Sequence, residues 1–509
     1  MEQEAEKLLK KYFGYESFRT GQKEIISEIL KKNDVVAIMP TGAGKSICYQ
    51  IPAMLFPGIT IVVSPLISLM RDQVCALIEI GVRGAYLNSS LTERQMQKAI
   101  ANAKLGMYKI IYVAPERLNM PSFLDFAKNA EISLLAVDEA HCISQWGHDF
   151  RQSYTKIPEF IQELSQRPVV AAFTATATKQ VKRDIVISLK LSHPFEMITG
   201  YDRPNLFFSV YQPLDKSTFI LNYLKKHKNR TGIVYCMRKK VVDDLTEELG
   251  ENGITAVKYH AGMPAEERKK SQDQFLFDQC QVMVATNAFG MGIDKSNVSF
   301  VIHFHMPMNI EQYYQEAGRA GRDGSDADCI LLYGKADVRL GNFLIDCKIE
   351  AAEDLTQEQK KIIRDREEEK LKMMTYYSTT HYCLRRYLLS YFGESAPWKC
   401  GSCSNCCGID QRTFLSRPSA KGLERGDSSQ TKFVFDDELF EKLKKLRKQL
   451  ASRQGIPAYL IFSDAVLQRL LHRKPKTLSE MKEIEGIGEK KLTRYGALFL
   501  EIIQKHEEK

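Results

Sequence analysis

The stretch Met39-Pro40-Thr41-Gly42-Ala43-Gly44-Lys45-Ser46 places glycines directly before a lysine and a hydroxyl. Glycine-rich backbone amides gathered at a helix N-terminus form a cradle for phosphate oxygens. Thr41, Gly42, Ala43 and Gly44 would wrap the phosphates, Lys45 would reach the β and γ phosphates, and Ser46 would ligate Mg²⁺. Met39 stands where the full phosphate-loop pattern has its first glycine. A Gly-x-Gly-Lys-Ser string also arises by chance in 509 residues, so a second chemical group has to support it. Ala136-Val137-Asp138-Glu139-Ala140-His141 supplies one: an apolar strand ends in two carboxylates, at the strand end where parallel sheets hold ligands. Asp138 is suited to holding Mg²⁺ and Glu139 to orienting or deprotonating a water. Two solvated carboxylates at a strand end are the plain alternative, and the upstream phosphate cradle disfavours it.

Further along, Arg319 and Arg322 in Gln315-Glu316-Ala317-Gly318-Arg319-Ala320-Gly321-Arg322-Asp323 are expected one helical turn apart, facing one cleft. One of them would stabilise charge on a transferring phosphoryl group. Cys383, Cys400, Cys403 and Cys406 have the spacing C-x16-C-x2-C-x2-C, which suits four-thiolate structural Zn²⁺ with no open position for chemistry. An iron–sulfur cluster is the lesser alternative. Cys407 adds a fifth thiol, and spacing alone does not choose between it and Cys406. The other cysteines, Cys48, Cys75 and Cys236 among them, read as small apolar side chains.

Positioning these groups requires parallel sheets. Short β-rich runs, Val35-Val36-Ala37-Ile38, Ile59 to Val63 and Leu134 to Val137, alternate with longer helical stretches. A second series runs through Gly232 to Cys236, Val282 to Thr286 and Phe300 to Ile302, so two α/β lobes are expected to meet near Tyr201. Residues 349 to 374 read as charged helices packed on a lobe. From Gln411 to Thr431 the composition is that of an exposed linker, and helical periodicity resumes from 433 to 509.

The 72 Lys and Arg against 63 Asp and Glu give a formal charge of +9, a mild excess that favours polyanionic partners without proving one. No apolar run reaches the roughly 18 to 20 residues that span a bilayer, and no leader or lipidation signal is visible. A cytoplasmic, nucleoid-associated location is the expectation. Twelve cysteines in such a compartment are not expected to form disulfides.

The order of motifs resembles superfamily two helicases, and across residues 8 to 408 it is similar to the RecQ family. Phe13-Gly14-Tyr15, Phe18-Arg19 and Gln22 resemble the RecQ adenine-binding motif, which implies that an aromatic ring such as Tyr15 stacks on the base while Arg19 and Gln22 read its edges. Ser64 to Gln73 and Ala114 to Leu118 resemble strand-contacting motifs, and Thr174-Ala175-Thr176-Ala177 the segment coupling hydrolysis to movement. His260-Ala261-Gly262 and Val284 to Asp294 resemble their second-lobe equivalents, with Thr286 meeting a DNA phosphate and Asp294 near the ATP cleft. Cys142 to Arg151 resembles the aromatic-rich loop of RecQ motors. Its Trp146 and Phe150 offer faces for unpaired bases, and Arg151 a charge for phosphate. The RecQ pattern selects Cys406 as the fourth zinc ligand. Tyr382, Arg385, Arg386 and Tyr387 are expected to brace that module rather than touch DNA.

The resemblance implies an α/β fold with two RecA-like parallel-sheet lobes (1–200 and 201–335), a helical zinc-binding module (336–408), a linker (409–432) and a small all-α domain (433–509). The last segment resembles the HRDC domain, an accessory DNA-binding module. Its Gly486-Ile487-Gly488 could lay backbone amides on phosphate, although such turns are commonly just turns. The implied activity is ATP-dependent 3′ to 5′ DNA unwinding in recombination and repair, with ATP, Mg²⁺ and Zn²⁺ as cofactors. The implied partners are single-stranded and tailed duplex DNA, single-strand-binding protein and other recombination factors. Only 25 residues separate Cys407 from Phe433, too few for the winged-helix domain of many RecQ proteins. A DNA-stimulated translocase or strand-annealing factor with weak unwinding is therefore the alternative. An RNA motor of the same superfamily is a further rival, disfavoured by the aromatic-rich loop and the cysteines.

Overall fold

The computed structural model describes residues 1–144, 147, 149–289, 295–352, 356–409 and 437–507. Two compact units are present, and the chain passes from one to the other between Asp202 and Arg203. The helices beyond Lys442 belong to the first unit.

The first unit is built on seven strands: β1 (Val35–Ile38), β2 (Ile59–Val63), β3 (Gly84–Leu87), β4 (Ile110–Val113), β5 (Ile132–Val137), β6 (Val169–Thr174) and β7 (Phe195–Ile198). They lie in the order β3-β4-β2-β5-β6-β1-β7, every pair parallel. Helices cover both faces of such a sheet, so inner strands read as unbroken apolar runs, and β1, β2, β4 and β6 are buried at every position. The edge strand β7 alternates half-buried with exposed positions. Register pairs Ile38 with Thr174 and Val137 with Ala172, which brings the C-terminal ends of β1, β6 and β5 together at one rim.

The second unit holds β8 (Leu206–Tyr211), β9 (Gly232–Tyr235), β10 (Ala256–Tyr259), β11 (Val282–Ala285), β12 (Phe300–His303) and β13 (Ala327–Leu332), ordered β10-β11-β9-β12-β13-β8 and again all parallel. The charged stretch after it forms two long helices, Lys335–Glu350 and Gln357–Thr379. They pack closely where a Cβ on Gly341 would stand 2.8 Å from Leu371. Thr356 and Gln359 close a capping box at the start of the second helix. The cysteine-bearing module sits on edge strand β8: Ser404 donates its amide to Phe208 O at 2.9 Å, and Arg385 donates to Arg203 O at 2.7 Å and Leu206 O at 2.5 Å. Those contacts cover an otherwise open strand edge.

Ile409, the first residue of the expected 409–432 linker, is an apolar side chain buried in the core of the second unit. Residues 410–432 of the expected linker and 433–436 of the expected terminal domain lie outside the described residues. The terminal helices span Asp437–Gln454, Ala458–Ile461, Asp464–Arg473, Leu478–Lys482 and Glu489–Glu507. Their core contains Phe462, Tyr495 and Phe499, and Arg447, 1% exposed, ties it together through Phe462 O and Asp464. Among the described residues no helix is long and apolar enough to cross a membrane.

Candidate functional site

The rim formed by β1, β6 and β5 carries the first constellation. The loop after β1 turns through Gly42 and Gly44, each with φ +82°, a conformation that only glycine adopts cheaply. The helix Lys45–Leu55 starts immediately after, so the loop's amides adjoin a helix N-terminus, the arrangement that suits phosphate. The loop is held from behind. Arg19 donates to Gly42 O at 2.6 Å, and the Gln22 amide donates to Ala43 O at 3.1 Å and Gly44 O at 3.0 Å. Gln22 is 2% exposed, and its oxygen accepts the Arg19 amide at 2.9 Å. The two side chains expected to read a base edge thus bond to the phosphate loop itself. Tyr15, with Phe13 and Phe18, packs against the apolar core of this unit.

Asp138 follows β5. Its amide donates to Val63 O at 2.9 Å, its carbonyl accepts from Tyr154 at 2.8 Å, and its carboxylate accepts the Glu139 amide at 3.0 Å. Glu139 has φ +47°, a left-handed conformation unusual for a side-chain-bearing residue and of the kind found at functional turns. Its Oε2 is buried without a hydrogen bond and lies 3.3 Å from His141 Nδ1. That same nitrogen contacts Thr174 Oγ1 at 2.8 Å. The Thr174 hydroxyl donates to Thr176 O at 3.1 Å, so the imidazole Nδ1–H is the donor to Thr174. His141, 1% exposed, therefore lies between Glu139 and the Thr174–Ala177 segment, bonded to the latter. The sequence showed His141 beside the carboxylates without giving it this role.

In the aromatic-rich loop, Arg151 is drawn inward. It pairs with Asp149 at 2.9 Å and donates to Pro65 O at 3.2 Å, joining this loop to the Ser64–Gln73 segment. Phe150 is 41% exposed. Trp146, together with Gln145 and His148, lies outside the described residues.

In the second unit, Thr286 is buried at the end of β11, its amide donating to Tyr259 O at 3.1 Å. Gly290 to Asp294 lie outside the described residues, Asp294 included. Arg319 and Arg322 are not on a helix. The helix Ile310–Ala317 stops at Gly318, and the arginines ride on a turn with Gly321 at φ +57° and Gly324 at φ +89°. Three glycines in seven residues end the helix that the spacing predicts. The turn is cradled by residues more than a hundred positions away: Arg203 donates to Gly321 O at 2.7 Å, Ala320 O at 3.1 Å and Gly318 O at 3.4 Å, and Asn205 to Gly321 O at 2.9 Å and Ser325 O at 2.8 Å. Neither residue carries a motif that would have signalled this. Glu316, just before the turn, accepts from His303 at 2.9 Å and from Gln312 at 3.0 Å.

Cys383, Cys400, Cys403 and Cys406 bring their sulfurs within 4.8 Å of one another. A zinc ion with bonds of about 2.3 Å needs tetrahedral edges of about 3.8 Å, so the cluster fits zinc with modest tightening. Backbone amides of Arg386 and Ser402 point at the Cys383 and Cys400 sulfurs at 3.4 and 3.3 Å, the kind of outer bond that stabilises thiolates. Hydrogen bonding with Cys383 and Cys403 holds the Cys400 thiol well below its ordinary range. The Cys407 sulfur lies near Gly401 O, while Cys406 is the fourth member of the cluster. Of the expected bracing residues, Arg385 is buried against β8, whereas Arg386 lies 3.4 Å over the ring of Trp398, itself 79% exposed. Cys48 and Cys236 are buried, with thiols pushed up by burial, and Cys75 is half-buried.

Two parallel-sheet lobes, one bearing a phosphate loop beside paired carboxylates and the other a turn with two arginines, define the class of helicase-type ATPases. A structure of Mss116p bound to single-stranded RNA and AMP-PNP shares this fold, with TM-score 0.55 at 18% identity over 67% of this chain and 73% of that one. Family models for the DEAD/DEAH box helicase (19–184), the helicase conserved C-terminal domain (215–324), RecQ zinc-binding (335–407) and the HRDC domain (436–503) match in sequence. The chain is 39% identical to the ATP-dependent DNA helicase RecQ of Bacillus subtilis (strain 168), covering 98% of each. It is 34% identical to that of Pasteurella multocida (strain Pm70), covering 100% of this chain and 94% of that one. The chain belongs to the RecQ family of ATP-dependent DNA helicases. The alignment with the Bacillus relative runs to 590 positions against 509 residues here, so that relative carries insertions.

Proposed function

We propose that this chain hydrolyses ATP to move 3′ to 5′ along single-stranded DNA and to separate duplexes, in recombination and repair. The observation that supports this most strongly is the shared rim. The phosphate loop, the Asp138–Glu139 pair and the Thr174–Ala177 segment meet there, with His141 between the last two. In the proposed cycle Lys45 and the loop amides take the phosphates, and Ser46 and Asp138 would hold Mg²⁺, which neutralises phosphate charge when bound. Glu139, whose Oε2 lacks a donor, orients the attacking water. Arg319 and Arg322 serve the developing phosphoryl charge. Tyr15, Arg19 and Gln22 contribute to adenine recognition, with Arg19 and Gln22 passing its presence to the loop they hold. Trp146, Phe150, Arg151 and Thr286 are the proposed DNA contacts.

The division into lobes at 1–200 and 201–335, a zinc module at 336–408, a linker and a terminal domain from 433 is part of the same reading, supported by the spans of the matched family models. So are a cytoplasmic, nucleoid-associated location and action with single-strand-binding protein. The translocase or annealing alternative is not favoured, because relatives matched over nearly the whole chain are named DNA helicases. Comparing ATP hydrolysis stimulated by single-stranded DNA and by RNA of the same length tests the reading, with Lys45→Ala as the blank. Stimulation by DNA, absent in the variant, is expected. Equal or greater stimulation by RNA would overturn it.

A further inference from the structure

The Gly486-Ile487-Gly488 turn, which the sequence offers as a phosphate-binding element, is seated on protein. Its Gly486 amide donates to Gly14 O at 2.8 Å, one residue before Tyr15. The fit depends on glycine on both sides. A Cβ on Gly14 would stand 2.5 Å from the Ile487 backbone, and one on Gly488 would stand 2.5 Å from Tyr12 O. One turn further along the terminal helix, Arg494 lies 2.6 Å from Glu79, and the Tyr495 hydroxyl donates to the same carboxylate oxygen at 2.9 Å. Lys490 reaches Ile78 O at 3.3 Å. Glu79 is 8% exposed on the first lobe, and a carboxylate so buried needs charged or hydrogen-bonding partners. The terminal helix provides them.

We propose that the face of the first lobe around Tyr12–Gly14 and Glu79 is a docking surface for the terminal domain, and that docking there excludes phosphate binding by the same turn. The groups that would meet a DNA backbone are those spent on the lobe: the Gly486 amide, Lys490 and Arg494. A bound form that must first undock has its apparent affinity reduced by the undocked fraction. Single-stranded DNA and the lobe are therefore competitors for one surface of the terminal domain. Because the seat includes the residues just before Tyr15, linkage requires that whatever displaces this segment also changes the DNA affinity of the terminal domain. The inference rests on the DNA-directed function proposed above.

Gly488→Ala tests it in the full-length chain. The nearest atoms to the added methyl are Lys11 and Tyr12 backbone atoms, and the net charge is unchanged. Glu79→Gln releases the same surface from the lobe side. Hydrogen–deuterium exchange at residues 10–16 and 484–490 reports docking, and anisotropy of a labelled oligothymidine without nucleotide reports binding. Both variants are expected to raise exchange at the two segments and to bind at least about threefold tighter. Gly488→Ala should also show a steeper salt dependence than wild type, since released cations add phosphate contacts. Faster exchange with unchanged or weaker binding would overturn the exclusion. Unchanged exchange in both variants would overturn the docking. A wild-type chain that binds no oligothymidine would refute the DNA reading and this inference with it, whereas wild-type binding without gain in the variants refutes this inference alone.

Discussion

Arg203 places three hydrogen bonds on the turn that carries Arg319 and Arg322, at 2.7, 3.1 and 3.4 Å. Truncation to alanine removes all three and leaves the Asn205 bonds to Gly321 O and Ser325 O. Hydrogen bonds to a charged donor contribute about 1.5–3 kcal/mol each when buried and less when water replaces them. Arg203 is half-buried and one of the three bonds is long, so a total near 2–4 kcal/mol is a fair range. Part of that is lost as global stability, and part as freedom of the turn. Freedom equivalent to about 1.4–2.8 kcal/mol of misplaced arginine charge lowers the rate of hydrolysis about 10- to 100-fold. The phosphate loop belongs to the other unit, so KM for ATP is expected to move by less than about threefold. The assay is steady-state ATP hydrolysis at saturating single-stranded DNA, alongside a thermal melt. Arg203→Lys should fall between wild type and Arg203→Ala, because one ammonium cannot span three carbonyls. Full kcat in Arg203→Ala with only a lowered Tm would show that Arg203 is structural and that the arginines hold their places without it.

Glu139→Gln should keep ATP binding while lowering hydrolysis at least about 100-fold, as nucleotide-binding and single-turnover assays would show; hydrolysis within about threefold of wild type would remove Glu139 from the water-orienting role. Cys403→Ser should release zinc on metal analysis and lower Tm by more than about 5 °C, since Cys403 is fully buried and bridges to β8; full zinc retention would mean Cys407 can replace it. Burial, aided by Lys216, holds His305 down at about 4 against an ordinary 6.5, and its Nδ1 accepts the Met237 amide, which requires a neutral ring. The unfolded chain then binds more protons between those two values, so stability is full above pH 6.5 and declines as pH falls towards 4. His305→Gln should flatten that part of the urea-midpoint profile, and an unchanged slope would assign it to other groups.

Strands such as β2 and β9 were legible because a parallel sheet covered on both faces demands continuous apolar runs. The phosphate loop was legible because its φ +82° positions favour glycine. The four zinc-binding cysteines were legible from spacing, while the choice of Cys406 over Cys407 needed the resemblance, and the cluster agrees with it. What spacing could not convey was the partner of a side chain. Arg19 and Gln22 are expected to face a base, and their hold on the loop carbonyls could not be read from the sequence, because one amide or guanidinium suits either acceptor. The arginine pair was expected on a helix that its own glycines end, and the cradle from Arg203 and Asn205 is non-local. The seat of the Gly486–Gly488 turn is likewise a contact between segments more than four hundred residues apart.

Strand polarity tests most directly whether this chain is a motor that opens DNA from a 3′ single strand. Unwinding should be followed on matched duplexes carrying a 3′ tail, a 5′ tail or none, with ATP and Mg²⁺, for wild type and Lys45→Ala. Opening of the 3′-tailed duplex alone, lost without ATP and in the variant, is the predicted result. Opening of the 5′-tailed duplex instead, or DNA-stimulated hydrolysis that opens none of the three, would contradict it.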